Sequence, residues 1–232
     1  MSAFDKAEVV DLASTELRQL NSTLHKLRPD TNQTLWRIAN PRGRHSVAVG
    51  VDVPVTIEID GHVGYYCAGM NKQATVIVNG NAGVGVAENI MSGTVHVKGD
   101  ASQSAGATGC GGMLIIDGNA SARCGISMKG VDIVVKGSVG HMSAFMAQAG
   151  SLVVLGDAGE SLGDSIYEAR LYVRGKVQSL GADCIEKPMT DHHRAKLAAK
   201  LEAAGVTGAD VGAFKRYGSA RRLYHFHVDN VY

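Results

Sequence analysis

The chain is 232 residues long, 45% apolar, and carries a formal net charge of +1. Near-neutral charge excludes the basic footprint of a nucleic-acid-binding protein and a polybasic membrane patch. No apolar run approaches membrane-spanning length and the N-terminus MSAFDKAEVVDL lacks a charged-then-apolar leader, so a cytoplasmic location is expected.

In chain order, Leu17, Leu20, Leu24 and Leu27 recur at helical spacing and predict a helix from about Thr15 to Lys26. Residues 34–54 are expected to add an irregular strand or two. A stronger pattern then begins. Gly61, Gly80, Gly99, Gly118, Gly137, Gly156 and Gly175 recur every 19 residues, each closing an apolar run such as VTIEIDG, TVHVKG or RLYVRG. A fixed period near twenty residues is the mark of a solenoid, in which no coil buries its own hydrophobic face alone.

Four residues before each glycine stand Ile57, Val76, Val95, Leu114, Ile133, Leu152 and Leu171; two before it stand Ile59, Val78, Val97, Ile116, Val135, Val154 and Val173. Period-2 alternation puts both columns on one face of a strand, and β-branched residues suit that surface. The column between them, from Glu58 through His96 to Tyr172, is mixed and is expected to face outward, partly covered. Small residues follow each glycine two positions on (Val63, Ala82, Ala101) and seven positions on (Ala68, Ala87, Gly106), which marks a narrow inward place. The glycine itself is read as a corner needing a positive φ or a close backbone approach.

These columns predict an all-β fold, a right-handed parallel β-helix of seven 19-residue coils with flanking α-helices at both ends. At the inter-strand spacing, seven coils make a rod roughly 34 Å long. A left-handed hexapeptide helix and a calcium-binding nonapeptide roll both fail for want of their repeats. The expected division is 1–54 as an N-terminal helix and capping segment, 55–184 as the β-helix and 185–232 as a C-terminal helical cap and tail. Within the last part, Thr190 or Asp191 is expected to cap a helix through Ala204, ended by Gly205. A second short helix is predicted near Asp210–Tyr217. The flanking helices are assigned to the solenoid's open ends, because a bare sheet edge invites pairing with other chains.

Candidate chemistry is sparse. Gly80-Asn-Ala-Gly83-Val-Gly85 resembles a phosphate loop, but a coil follows it instead of a helix, and similar corners recur at Gly137/Gly140 and Gly156/Gly159. His225 and His227 would share one face of a strand in the tail, joined by Asp229 only if the strand continues, and two imidazoles without a nearby third ligand make a weak metal signal. His192 and His193 read as solvated. Cys67, Cys110, Cys124 and Cys184 form no cluster spacing and read as inert thiols; Cys110 has no acid–base partner in view. Glu58 and His96 do not line up into a hydrolytic set. No catalytic, cofactor-binding or metal-binding residue is therefore assigned.

One surface stands out. Met70, Asn71, Asn89, Met91, Cys110, Met128, Phe145, Met146 and Tyr167 all fall in the stretches about eight to twelve residues past the corner glycines. Such a row reads either as an interface or as filling for the wide side of the coil.

The repeated Gly-x-x-Gly corners, with GYYCAGMNKQATVIVNGNAG, ENIMSGTVHVKGDAS and GATGCGG, resemble the GXGXG β-helix domain. That domain ends the large subunit of glutamate synthase and recurs in one of the subunits of formylmethanofuran dehydrogenase. The flanks WRIANPRGRHSVAVGVD, SLGADCIEK and FKRYGSARRLYHF are similar to the free-standing glutamate-synthase-like proteins, closest to the β-helix component of N-methylglutamate synthase. The resemblance implies a non-catalytic scaffold within a multi-subunit flavoenzyme, which joins methylamine and L-glutamate into N-methyl-L-glutamate with release of ammonia. It implies two partners in a hetero-oligomer: a class II glutamine amidotransferase-like subunit, and an FMN-binding glutamate synthase-like subunit that also holds an iron–sulfur cluster. This chain begins Met-Ser and has no N-terminal Cys nucleophile, barrel or clustered cysteines, so neither cofactor is expected on it. The alternatives are the equivalent component of a glutamate synthase proper or of a formylmethanofuran dehydrogenase-type one-carbon complex.

Overall fold

Seven short strands stack in parallel and in register: β3 (Thr56–Asp60), β4 (Thr75–Val78), β5 (Thr94–Val97), β6 (Met113–Ile116), β7 (Lys129–Val135), β8 (Ala149–Val154) and β9 (Arg170–Val173). The computed structural model describes residues 7–223. Ile57 faces Val76, Val76 faces Val95, and so on to Leu152 and Leu171, so each partner lies one repeat along the chain. Both inward columns are buried throughout, and they form one continuous core with the small residues behind them. Strands of this length are marginal alone; each is held by the backbone groups of the coil above and the coil below.

The corner glycines are required by close approach. A Cβ on Gly118 would lie 2.3 Å from Asp100 Oδ1 and 2.9 Å from the Gly99 carbonyl carbon, and one on Gly175 would lie 2.3 Å from Gly156 O. The chain passes so near its predecessor that Gly118 N–H donates to Gly99 O (3.0 Å) and Gly137 N–H to Gly118 O (2.9 Å). A second ladder runs beside this one. Asn81 Oδ1 accepts from Asp100 N–H (3.0 Å), Asp100 Oδ1 from Asn119 N–H (2.7 Å), Asn119 Oδ1 from Ser138 N–H (2.9 Å), and Ser138 Oγ from Asp157 N–H (2.9 Å). Each side chain thus satisfies a turn amide of the next coil.

Opposite the strands the backbone alternates into the left-handed region. Tyr66, Ala68 and Met70 do so in one coil, and Met142, Ala144 and Met146 in another. Each non-glycine residue held there costs on the order of 1–2 kcal/mol. Backbone bonds between coils offset it: Tyr66 N–H to Val84 O (2.8 Å), Ala87 N–H to Cys67 O (2.9 Å), Asn89 N–H to Ala107 O (2.8 Å). The column through Ala68, Ala87, Gly106, Gly125, Ala144 and Gly163 holds only Ala or Gly because it is buried against the strand side chains: a Cβ on Gly106 would lie 2.6 Å from Ile133 Cδ1. Ala182, the last member of the column, is exposed.

The sheet begins earlier than the glycine comb. β2 (Leu35–Ala39) pairs in parallel with β3, and β1 (Glu8–Asp11), which sequence reasoning did not anticipate, pairs with β2. Leu35 faces Thr56, so this step is longer than the 19-residue repeat and no glycine marks it. Helix α1 (Leu17–His25) closes the other side of that first coil by burying Leu20 and Leu24. Its Asn21 replaces the missing coil: Nδ2 donates to Ser46 O (2.8 Å) and Oδ1 accepts from Ala48 N–H (3.1 Å).

The C-terminal end corrects two expectations. Helix α2 (Asp191–Ala203) forms where the sequence places it, but it does not cover the end of the solenoid. It lies across the outer face of the sheet, where Leu197, Leu201, Ala204 and Phe214 pack on Ile115, Val134, Val153 and Tyr172. The mixed outward column is therefore two surfaces, solvated around Glu58 and buried from Ile115 onward. A Lys200–Asp132 ion pair fastens the helix to β7. Nor is there a helix over Asp210–Tyr217. A single 3-10 turn (Val211–Ala213), capped by Asp210, leads into β11 (Lys215–Ser219), antiparallel to β9; β10 (Cys184–Lys187) pairs antiparallel with β11. A strand satisfies the open backbone groups of β9, which a helix cannot do.

Candidate functional site

The Met-bearing row separates into inner and outer residues. Met128 is fully buried beneath the turn, in line with Ile90, Ala147 and Ile166. Asn71 is buried in the same line, donating from Nδ2 to Ala74 O (2.8 Å) and Ser92 O (3.1 Å). These two fill the coil and belong to no surface.

Met70, Met91, Met146 and Tyr167 are 40%, 39%, 45% and 40% exposed, which makes them an outward row along the rod. Cys110 is also exposed, and Phe145 and Asn89 are half-buried. At one end, Met70 and Met91 line a shallow groove with Val49, Gly50 and His25; at the other, Met146 and Tyr167 line one with Gln148 and Ser165. Between them the surface is held by polar links, Thr108 Oγ1 donating to Asn89 Oδ1 (2.6 Å) and Asn89 Nδ2 to Tyr66 Oη (3.3 Å). Exposed thioethers and an aromatic ring on a frame hydrogen-bonded coil to coil are what a desolvated protein contact uses.

The other candidates are placed as follows. Burial pushes the Cys67, Cys124 and Cys184 thiols up to about 12, which keeps them protonated and unreactive. His96 and Glu58 occupy one column with Ile77 between them, so they do not meet. His96 instead bonds Asp117 through Nε2 (2.9 Å), and Lys136 Nζ reaches the same carboxylate at 2.7 Å. Burial opposes ionisation of Asp117, but the Lys136 and His96 hydrogen bonds outweigh it and hold the carboxyl below its ordinary range. His193 bonds Thr190 Oγ1 at 2.7 Å in the first turn of α2. His225, His227 and Asp229 lie outside the described residues.

Among the described residues, no three His, Cys, Asp or Glu side chains come together to hold a metal ion. No helix there is long and apolar enough to cross a membrane. Sequence reasoning missed two features. The corner ladder through Asn81, Asp100, Asn119, Ser138 and Asp157 was visible as a column of acceptors directly after the glycines. A group of basic residues on β9, β10, β11 and α2 was not visible, because its members meet only through the antiparallel pairing of β11.

No protein-family model matches the chain, and no solved structure matches it. A curated relative does: the chain is 63% identical over 223 residues to Protein GlxC of Rhizobium meliloti (strain 1021), covering 96% of this chain and 98% of that protein. Identity at that level over nearly the whole of both proteins leaves no room for a different core or different corners, and the chain belongs to the GlxC family.

Proposed function

We propose that this chain is the β-helix scaffold of a glutamate-synthase-like enzyme complex, one that makes N-methyl-L-glutamate from methylamine and L-glutamate. Its role is to hold a glutamine amidotransferase-like subunit and an FMN-binding subunit in register. The observation that carries this reading is the outward row of Met70, Met91, Met146 and Tyr167 along the rod. The GXGXG-like repeat supplies the kind of complex. In this reading FMN and the iron–sulfur cluster are held by the FMN-binding subunit.

The test is coexpression of the tagged chain with amidotransferase-like and FMN-barrel proteins from the same genome. The expected result is coelution on size exclusion, a yellow-brown complex, and methylamine-dependent turnover only when all three proteins are present. A chain that elutes alone from such a mixture, or that carries flavin by itself, overturns the proposal.

A further inference from the structure

At the C-terminal end of the rod, β9, β10, β11 and α2 converge on a small polar cavity of about 150 Å³. Arg170, Lys187, His193, Arg216 and Arg221 line it, with Glu168 the one carboxylate among them. Strand register explains the grouping. Arg216 on β11 is paired with Tyr172 on β9 and with Lys187 on β10, and Arg170 lies two residues before Tyr172, so all three cations share one face. Like charges set directly opposite across a sheet are destabilising unless something offsets them.

Nothing within the described residues does so. Glu168 is paired with Arg221 at 3.1 Å, Glu186 with Lys215 at 3.1 Å, and Asp132 with Lys200. The Arg216 side chain donates only from Nε, to Pro188 O (3.0 Å), while the Arg170 and Lys187 side chains make no ion pair or hydrogen bond among the described residues. Beside them the buried Tyr172 hydroxyl has no hydrogen-bond partner. The local potential is positive: burial, then Arg216, His192 and Arg170, push the His193 imidazole below its ordinary range.

We propose that this cavity is a binding site for a phosphate group, free or as the ester of a small metabolite. The cations approach from three strands, with the His193 imidazole of α2 beside them. A tetrahedral dianion presents acceptor oxygens in all those directions, whereas a planar carboxylate is matched by a single guanidinium fork. The bound dianion also removes the repulsion among Arg170, Lys187 and Arg216. Tyr167, at the end of the outward Met row, also lines this cavity, but the cations that would hold the anion are not part of that row and do not depend on the docking reading.

The experiment is calorimetric titration and thermal melting of the full chain with inorganic phosphate, at ionic strength matched with chloride. Saturable heat and a rising melting temperature are expected. Arg170→Gln and Lys187→Gln should each weaken binding about tenfold. Each should also leave the phosphate-free melting temperature unchanged or slightly higher, because a repelling charge is gone. That second readout distinguishes a ligand site from a structural one, and Lys187 on the edge strand β10 serves should the Arg170 variant fold poorly. Ribose 5-phosphate against inorganic phosphate distinguishes ester from free ion, the tighter binder being the physiological form. Phosphate acting no better than chloride, or succinate binding where phosphate does not, overturns the proposal.

Discussion

Val97 and Lys98 are neighbours at the end of β5, yet the first is fully buried and the second is exposed. Val97→Asp places a carboxylate among Val78, Ile116 and their like with nothing to bond it, a cost large enough to abolish folding. Lys98→Ala removes a charge 3.8 Å from Asp117 Oδ2 at the surface and should change stability by no more than a few tenths of a kcal/mol. Soluble yield and melting temperature check the pair; equal effects would mean the strand faces are reversed. Asp117 adds a pH-dependent contribution. Its folded pKa lies below the ordinary 3.8, so its bonds to Lys136 and His96 stabilise the fold fully above that value. That stabilisation is lost as pH falls through the lower folded value. Asp117→Asn should flatten the acid limb of a melting-temperature profile while changing little in its shape above about pH 5.

At the scale of elements, α2 is the one whose position the sequence concealed. Its apolar face was legible from Leu197, Leu201 and Ala204, and so was its end at Gly205, whose φ is +69. What it packs against was not, because the outward column was read as a single mixed surface. The switch from Glu58 and His96 to Ile115, Val134, Val153 and Tyr172 is the signal that half of it is roofed. The seven regular strands were legible for a physical reason: stacking fixes the period, and the glycine that permits close approach recurs with it. The first coil was not legible, because its longer step removes both marks. The segment after Asp210 was misread because the open edge of β9, a tertiary demand, decided its conformation. Since the α2 cluster is separate from the solenoid core, Leu201→Ala should loosen the helix without unravelling the coils. A cost of about 2–5 kcal/mol is expected, with hydrogen-exchange protection lost in α2 and retained in β4 and β5. Uniform loss of protection would show that roof and coils unfold as one unit.

For the whole molecule, the coil is a rod whose inside is saturated and whose outside is free to bind. Met128 and Met146 test that division, being one coil apart on the same wall yet fully buried and 45% exposed. Met128→Lys drives an ammonium into the line of Ile90, Ala147 and Ile166, so the melting temperature should collapse whether or not a partner is present. Met146→Glu leaves the charge in water on the free chain, and circular dichroism and melting temperature should match the parent within about 0.5 kcal/mol. In the assembled complex the same carboxylate would be stripped of water in a methionine-lined contact with no cation to receive it. Truncating or charging a central contact of that kind costs about 2 kcal/mol or more, enough to release a partner during size exclusion. The outcome expected is thus a folded Met146→Glu chain that no longer carries its partner through the column. If it still does so at micromolar concentration, the outward Met row is bare surface and docking lies on another face of the rod.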